Sequence, residues 1–409
     1  MSFTKTPLLI LFLLGLSFYL SAQVISPVTP SPTVNATPLP GTNRIPTVDS
    51  VDVFPRWFPY TVIDPVLGGF FGITSRIAQA GVGIDSRKVN HFAGWEPVGA
   101  APVDRIYYYN NDPGIKRNNG ISEPFLLFEG AVSEFPFGVS TAVVDIACGE
   151  DDQIHVVWQV LERNDNGQII KQDIYYQKKG VNGWGSALNV TGSTEPVMIL
   201  CGIPSVTMVM DTIHRHSQPQ VAIDQDGTAH IIMKYQKRIR ESDCGVQLFE
   251  GLRYAQVANN TVILLEDVFP PKIIESPNKI SEPRLDLNSL KQTFIVWTER
   301  DEAPVPATAT QINYGIRTAP QTWTIMEDIS EGPEEFSGDI TIDGADSVHI
   351  CWVEEANSVQ YRRGINENLE GKEPIVEDAG VIRCRIGSDI QNQALVVWSN
   401  HAGPHCFAP

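Results

Sequence analysis

Past its first 22 residues this 409-residue sequence has no apolar run long enough to cross a bilayer, no C-x-x-C pair, no basic patch and no amphipathic helical stretch. The first absence leaves no segment to span a membrane as a helix. The second argues against a finger-type zinc site. The third disfavours nucleic acid and anionic membranes, both of which attract basic surfaces. Formal net charge is −18, or −19 once the lone leader cation, Lys5, is removed, a balance whose ordinary effect is solubility. The fourth absence points to an all-β chain.

What is present begins with a leader. "MSFTKTPLLILFLLGLSFYLSAQ" has one cation, an apolar stretch and small residues before Gln23, the order of a secretory signal peptide over residues 1–22. No cysteine follows the expected cut, so a bacterial lipid anchor is not expected. Residues 23–46, "QVISPVTPSPTVNATPLPGTNRIP", are Pro- and Thr-rich without apolar periodicity, so they form an extended spacer, either a tether or a passive leader. The expectation is a secreted or cell-surface protein whose folded domain covers residues 47–409.

That domain repeats itself. "GIDSRKVNHFAGW" (83–95), "CGEDDQIHVVW" (148–158), "IDQDGTAHIIMK" (223–234), "LNSLKQTFIVW" (287–297), "DGADSVHICW" (343–352) and "SDIQNQALVVW" (388–398) are six copies of a turn, a His position and an apolar run that mostly ends on Trp. The His position holds His91, His155, His230, Phe294, His349 and Leu395. A short aromatic strand follows each of the first five copies, as in "RIYYY" (105–109) and "VQYRR" (359–363), and a strand such as "SGDITID" (337–343) precedes the block. The unit is four antiparallel strands, a to d, at about 61 residues per repeat, which predicts a β-propeller. The sixth unit leaves no room for strands c and d after "VVWSNHAGPHCFAP". Residues 47–73 are therefore expected to complete it, giving six blades, or seven if this segment hides another.

The repeat also constrains chemistry. One His per blade around a ring cannot share an ion, and Phe294 and Leu395 replace it twice, so these histidines are expected to pack between blades and donate to turn carbonyls. "DQDG" and "GEDD" lack the full calcium-loop pattern; Asp and Gly at such corners suit tight turns. No metal and no cofactor are expected.

Trp-ended strands with Asp-containing corners in six blades resemble the sialidase-like, Asp-box propeller superfamily over most of the mature chain. The Asp-box consensus, Ser-x-Asp-x-Gly-x-x-Trp, is nowhere intact; "VNGWGS" (181–186) and "APQTW" (319–323) are partial matches. The resemblance implies three arginines on a substrate carboxylate, the first in a Phe/Tyr-Arg-Ile-Pro motif, with a Tyr–Glu nucleophile pair and an acidic Asp. "NRIP" (43–46) matches three letters but lies in the spacer, whereas "SRIA" (75–78) starts the first strand a. Arg76, Arg284 and Arg383 would all lie on strands a, lining the channel, where guanidinium groups can clamp a carboxylate bidentately. No residue is assigned to the Tyr–Glu pair or the Asp.

In up-and-down blades the d–a and b–c connections share one face, and the long loops fall there: residues 191–217, 235–250 and 298–310. Function concentrates in such loops, and these bring His214, His216, Arg238, Arg240, Glu299, Arg300 and Glu354 toward one rim. Six cysteines in an exported chain predict disulfides, fifteen pairings being available. Cys201–Cys244 would pin the largest loop and Cys384–Cys406 the tail, with Cys148 and Cys351 unpaired on distant blades. Three readings stay open. They are a non-catalytic propeller binding glycan or an extracellular protein through the loop-bearing face, a carbohydrate-active enzyme (sialidase-like hydrolase or polysaccharide lyase) at the central channel, and a structural element of a surface assembly.

Overall fold

A computed structural model describes residues 79–87, 89–97, 104–110, 112, 125–131, 144–149, 151–164, 169–194, 196, 198–201, 207–210, 212–240, 245–274, 279–300, 310–332, 334–377, 380–388, 394–400 and 403–407, all within the compact unit Val48–Pro409. The leader, the spacer, the closing segment 47–73, Arg76 and Cys244 lie outside these residues.

The described chain is a β-propeller with no helix among its residues. The first blade is β1 (Gln79–Ile84), β2 (Asn90–Pro97), β3 (Asp104–Asn110) and β4 (Phe125–Gly130). The second is β5 (Val144–Cys148), β6 (Ile154–Arg163) and β7 (Ile169–Gly180), edged by β8 (Gly183–Trp184) and β9 (Leu188–Asn189). A hairpin of β10 (Met198–Cys201) and β11 (Thr207–Met210) precedes the third blade, β12 (Thr212–Ile223), β13 (Ala229–Arg240) and β14 (Val246–Ala258), edged by β15 (Thr261–Asp267) and β16 (Lys272–Ile274). The fourth is β17 (Ile280–Leu287), β18 (Thr293–Arg300), β19 (Thr310–Ala319) and β20 (Thr322–Met326). The fifth is β21 (Glu335–Ile342), β22 (Val348–Glu354) and β23 (Ser358–Ile365), edged by β24 (Asn368–Leu369) and β25 (Glu373–Glu377). The sixth sheet is β26 (Val381–Ser388), β27 (Ala394–Asn400) and β28 (Gly403–Phe407). Inner strands touch in sequence order, β1 to β5 to β12 to β17 to β21 to β26.

The His–Trp blocks are the second strand of each blade, as their echo predicts. They read as continuous apolar runs because neighbouring blades cover both of their faces. Trp158, Trp297 and Trp352 are almost completely buried there, each contributing about 2–3 kcal/mol of burial.

Three expectations are corrected. The segments 191–217 and 235–250 are largely strand: β12, β13 and β14 run on past the blade, pairing Thr212–Ser217 with Lys234–Ile239 and Gln236–Arg240 with Val246–Glu250. Polar side chains do not prevent this, since a hairpin projecting from a blade can be wet on both faces. The sixth sheet does contain a third strand, because β28 turns back on β27 after only two intervening residues. That same register separates Cys384 from Cys406. They stand opposite Trp398 and Val397 on either side of β27, two strand spacings or about 9–10 Å apart, beyond disulfide reach. The Cys384 sulfur instead lies 3.0 Å from that of Cys351 on the adjacent blade. Cys351 is thus not remote from other cysteines.

Candidate functional site

The histidines belong to a repeated scaffold relay. In the first, third and fifth blades an Asp at the first hairpin turn accepts two turn N–H groups through one oxygen: Arg87 and Val89 on Asp85, Asp226 and Thr228 on Asp224, Ala345 and Ser347 on Asp343, all within 2.8–2.9 Å. The other oxygen faces His Nε2, at 3.2 Å for Asp85–His91, 3.3 Å for Asp224–His230 and 3.0 Å for Asp343–His349. The His Nδ1 then takes a Tyr hydroxyl from the third strand: Tyr108 at 2.6 Å, Tyr254 at 2.5 Å and Tyr361 at 2.7 Å. The carboxylate fixes the Nε2–H tautomer, leaving Nδ1 to accept the Tyr proton. So these imidazoles face turn carboxylates, to which His230 and His349 donate, and not the turn carbonyls expected above.

Electrostatics agree with a neutral imidazole. Burial lowers the pKa of His91 and of His230, outweighing their Asp partners. For Asp85, Asp224 and Asp343 burial pushes upward, but the turn N–H groups and the charged or imidazole partners hold each carboxyl below its ordinary value. In the second blade Gly149 stands at the Asp position; His155 still meets Tyr176 at 2.7 Å, its Nε2 has no partner, and burial drives its pKa down to about 3. In the fourth, Phe294 replaces His and Asn288 replaces Asp, keeping the two turn bonds to Leu290 and Gln292. The acidic corners are thus consumed by their own backbones, and among the described residues no group of three His, Cys, Asp or Glu could hold a metal ion.

A different level of the inner strands carries chemistry. Ten residues before the His position of each repeat stand Gly81, Asp145, Gln220, Arg284, Asp339 and Arg385, and all six pair with equivalent positions of their second strands. Arg284 donates to Gln220, and its Nε lies 3.9 Å from Asp339 without a hydrogen bond of its own. Arg385 donates to the Ser337 hydroxyl at 3.3 Å and to the Cys384 carbonyl at 2.7 Å. Burial raises the pKa of Asp145 to about 6, against the pull of the Val221 N–H and Arg284. Burial, then Arg385, lowers that of Arg284. Asp339 and Glu282 raise that of Arg385 despite its burial. Groups from the second, fourth, fifth and sixth blades therefore feel one another at the axis. One level on, the side chains shrink to Gly83, Ala147, Ala222, Thr341 and Gly387, with Asp286 the exception. Burial raises Asp286 to about 6, while the Ile342 and Leu287 N–H groups and Thr341 oppose it.

An inner strand presents a row of unpaired N–H groups, and side chains of the preceding blade take some of them. Asp145 accepts from Val221 at 2.9 Å, Gln218 from Glu282 at 2.7 Å, Asp286 from Ile342 at 2.7 Å and Asp339 from Ile386 at 2.9 Å. Register shifts interrupt β12, β17 and β21 just before the ring, where Gln218, Glu282 and Ser337 adopt left-handed backbone angles of 54°, 51° and 58°. Such non-glycine conformations cost about 1–3 kcal/mol each. Three of them at one level mark a backbone shaped around the axis.

Arg284 is therefore in the ring. Arg383 is not: it lies two residues before Arg385, half-buried opposite Ser399. His214 bonds the Tyr235 hydroxyl at 2.9 Å. His216 is buried, stacks on Tyr235 at 5.0 Å, meets Arg253 at 3.1 Å, and is driven to a pKa of about 3 by burial and then Arg253. Arg238 and Arg240 are half-buried on β13. Glu299 is buried against Lys272 at 3.0 Å and Asn313 at 3.0 Å, Arg300 is exposed, and Glu354 pairs with Lys372 at 2.7 Å. Among the described contacts none joins these rim residues into one cluster. An open cleft of about 400 Å³ lined by Arg253, Leu265, Glu266, Asp267 and Gln321 lies outside the axis, its charges already paired as Arg253–Asp267 and Arg317–Glu266, both 2.7 Å.

Asp145, Gln220, Asp339 and Arg385 are ring members that sequence reasoning missed; counting ten back from the His position of each repeat finds them. Glu335 was also missed and has no such signal. It is fully buried opposite Glu354 with neither carboxylate oxygen hydrogen-bonded, and burial, then Asp328 and Glu354, raise it to about 7.

No family model matches the chain, and no curated protein matches it. Solved structures resemble it at low identity. One is an α-L-arabinanase of Penicillium chrysogenum complexed with arabinobiose, 8% identical over 80% of this chain and 90% of that one, TM-score 0.45. A polysaccharide lyase, PL25 ulvan lyase, is 10% identical over 81% and 94%, TM-score 0.37. The NanB sialidase of Streptococcus pneumoniae is 11% identical over 81% and 67%, TM-score 0.38.

Proposed function

We propose that this protein is exported, binds a hydroxyl-rich glycan at its axial ring, and does not turn it over. The observation that carries the reading is the ring itself, Asp145, Gln220, Arg284, Asp339 and Arg385, delivered by five consecutive inner strands. Sugar hydroxyls are both donors and acceptors, so a circle mixing carboxylate, amide and guanidinium groups offers each a complement. The small residues one level on leave the axis without bulky apolar filling. Binding without turnover is favoured because Asp145, Asp286 and Asp339 each commit an oxygen to a neighbouring inner strand. A general acid or base must instead be within reach of the proton it moves.

A second reading, carbohydrate cleavage, draws on Glu335 beside Glu354: a carboxyl raised by burial to about 7 is suited to act as a general acid. One experiment addresses both. Residues 23–409 are incubated with a glycan array, and the supernatant is examined by mass spectrometry for released sugar. Retention without release, at least tenfold weaker in Arg284→Ala, is the expected result. Released sugar establishes the second reading. Absence of any retained glycan overturns the first.

A further inference from the structure

The fifth and sixth blades share a core of Cys351, Val353, Val359, Tyr361, Val381, Cys384, Ile386, Ala394, Val396 and Trp398. Inside it two thiols meet. Cys351, on the second strand of the fifth blade, stands opposite the ring residue Asp339. Cys384, on the inner strand of the sixth, immediately precedes the ring residue Arg385. Both are completely buried, and their sulfurs are 3.0 Å apart, with Cys384 in turn donating to the Ser337 carbonyl at 3.2 Å. That carbonyl reaches it because the left-handed angle at Ser337 bulges β21 at this point. Two sulfurs at 3.0 Å are inside non-bonded contact distance and need only about 1 Å of approach to reach bond length.

The surroundings of the pair exclude other uses. Among the described residues no third ligand joins them for a metal. Neither thiol is exposed, so neither reaches a substrate.

We propose that Cys351 and Cys384 are joined by a disulfide in the mature protein, stapling the sixth blade to the fifth directly behind the axial ring. The oxidant is a low-molecular-weight disulfide such as oxidised glutathione, or the disulfide of a thiol oxidoreductase. One cysteine thiolate attacks it, forming a mixed disulfide and expelling one thiolate. The second cysteine thiolate then attacks the protein sulfur of that mixed disulfide, forming the intrachain bond and expelling the other. Two electrons pass to the oxidant, and the two cysteine protons end on the released thiols. Because burial and then the neighbouring Cys384 hold the Cys351 thiol well above its ordinary pKa, thiolate is scarce once the blades have closed. The bond therefore forms while the sixth blade is docking. It closes a loop through residues 352–383, which contains β23 to β25, and raises stability by restricting the unfolded chain.

The test does not depend on export. The chain is denatured, reduced and refolded in mixed reduced and oxidised glutathione, then unfolded in acid, alkylated and mapped by mass spectrometry. The expected result is a Cys351–Cys384 cross-linked peptide, an intact mass lower by about 2 Da per bond, and a melting temperature several degrees above that of chain refolded with dithiothreitol. Recovery of both cysteines as alkylated thiols, or of either one linked to Cys148, Cys201, Cys244 or Cys406, overturns it. The mapping needs no variant. Cys351→Ser with Cys384→Ala adds a control in which oxidised and reduced preparations melt together.

Discussion

The turn relay and the axial ring occupy the same inner hairpins four residues apart, yet they obey opposite rules. At the relay, blades one, three and five carry identical residues, Asp, His and Tyr, with the His set between the other two. Where the fourth blade loses the His it also loses the Asp charge, through Asn288 and Phe294. At the ring, the described side chains run Asp, Gln, Arg, Asp and Arg from the second to the sixth blade. A residue demanded by every blade serves the blade, because each blade poses the same packing problem. A level at which the residue changes from each blade to the next is free of that demand and can be shaped to something asymmetric on the axis. Histidine, the residue most readily suspected of chemistry, sits on the scaffold side of this division.

The largest expected effect comes from cutting the relay. Asp343→Ala frees two turn N–H groups and orphans buried His349, and should cost about 2–4 kcal/mol in urea unfolding while glycan retention by the folded fraction is unchanged. A loss of retention at equal folded fraction would erase the distinction. Next is Glu335, which faces Glu354 where the fourth blade has Ile280 facing Glu299. Its folded pKa of about 7 exceeds the ordinary 4.5, so between those values the folded state keeps a proton that the unfolded chain has released. Its contribution is fully present below pH 4.5 and is lost as pH rises through 7. Glu335→Gln should therefore be near neutral at pH 4 and stabilising by about 2–3 kcal/mol at pH 8; an equal effect at both pH values would refute the titration.

At the ring, Arg284→Met keeps the packed stem and removes the charge. It should weaken glycan retention about tenfold, or about 1.4 kcal/mol, with a smaller loss of stability than Asp343→Ala. The smallest effect sharpens the comparison from the other side. Gly149→Asp restores the missing carboxylate beside His155, whose Nε2 lies 3.7 Å from where a Cβ would stand. It should raise the His155 pKa, read by NMR titration, and stabilise by about 0.5–1 kcal/mol. Destabilisation would show that crowding against Asp151 and Ile223 wins.

The propeller was legible because its signals are local and repeated. Apolar runs closing on Trp, Asx turns and aromatic third strands each reveal themselves over about ten residues, and six copies reinforce one another. The His–Tyr–Asp relay was half legible: its three members were all singled out, but their mutual bonding depends on a register between strands 12 to 24 residues apart. The extended strands of the third blade read as loops because Arg, Lys and Glu mask a pairing pattern that only a partner strand discloses. Of the ring, Arg284 was found through a charged residue on an inner strand, whereas Asp145 and Asp339 look in sequence like any polar strand residue. Arg383 was chosen over Arg385, two residues on and on the same face of β26; that Arg385 is the one level with Arg284 follows from its pairing with Val397, as Arg284 pairs with Val296, and nothing local announces that level.

By itself, then, the sequence determined the unit, its strand order and the residues that hold each blade together, since all of these follow from propensity, periodicity and turn chemistry within one hairpin. Only the tertiary structure decided what meets between blades: Arg284 with Gln220 and Asp339, the inner-strand N–H groups with carboxylates from the preceding blade, and Cys351 with Cys384. Those pairs are 33 to 76 residues apart, and their meeting depends on the angle and register with which one blade is laid on the next.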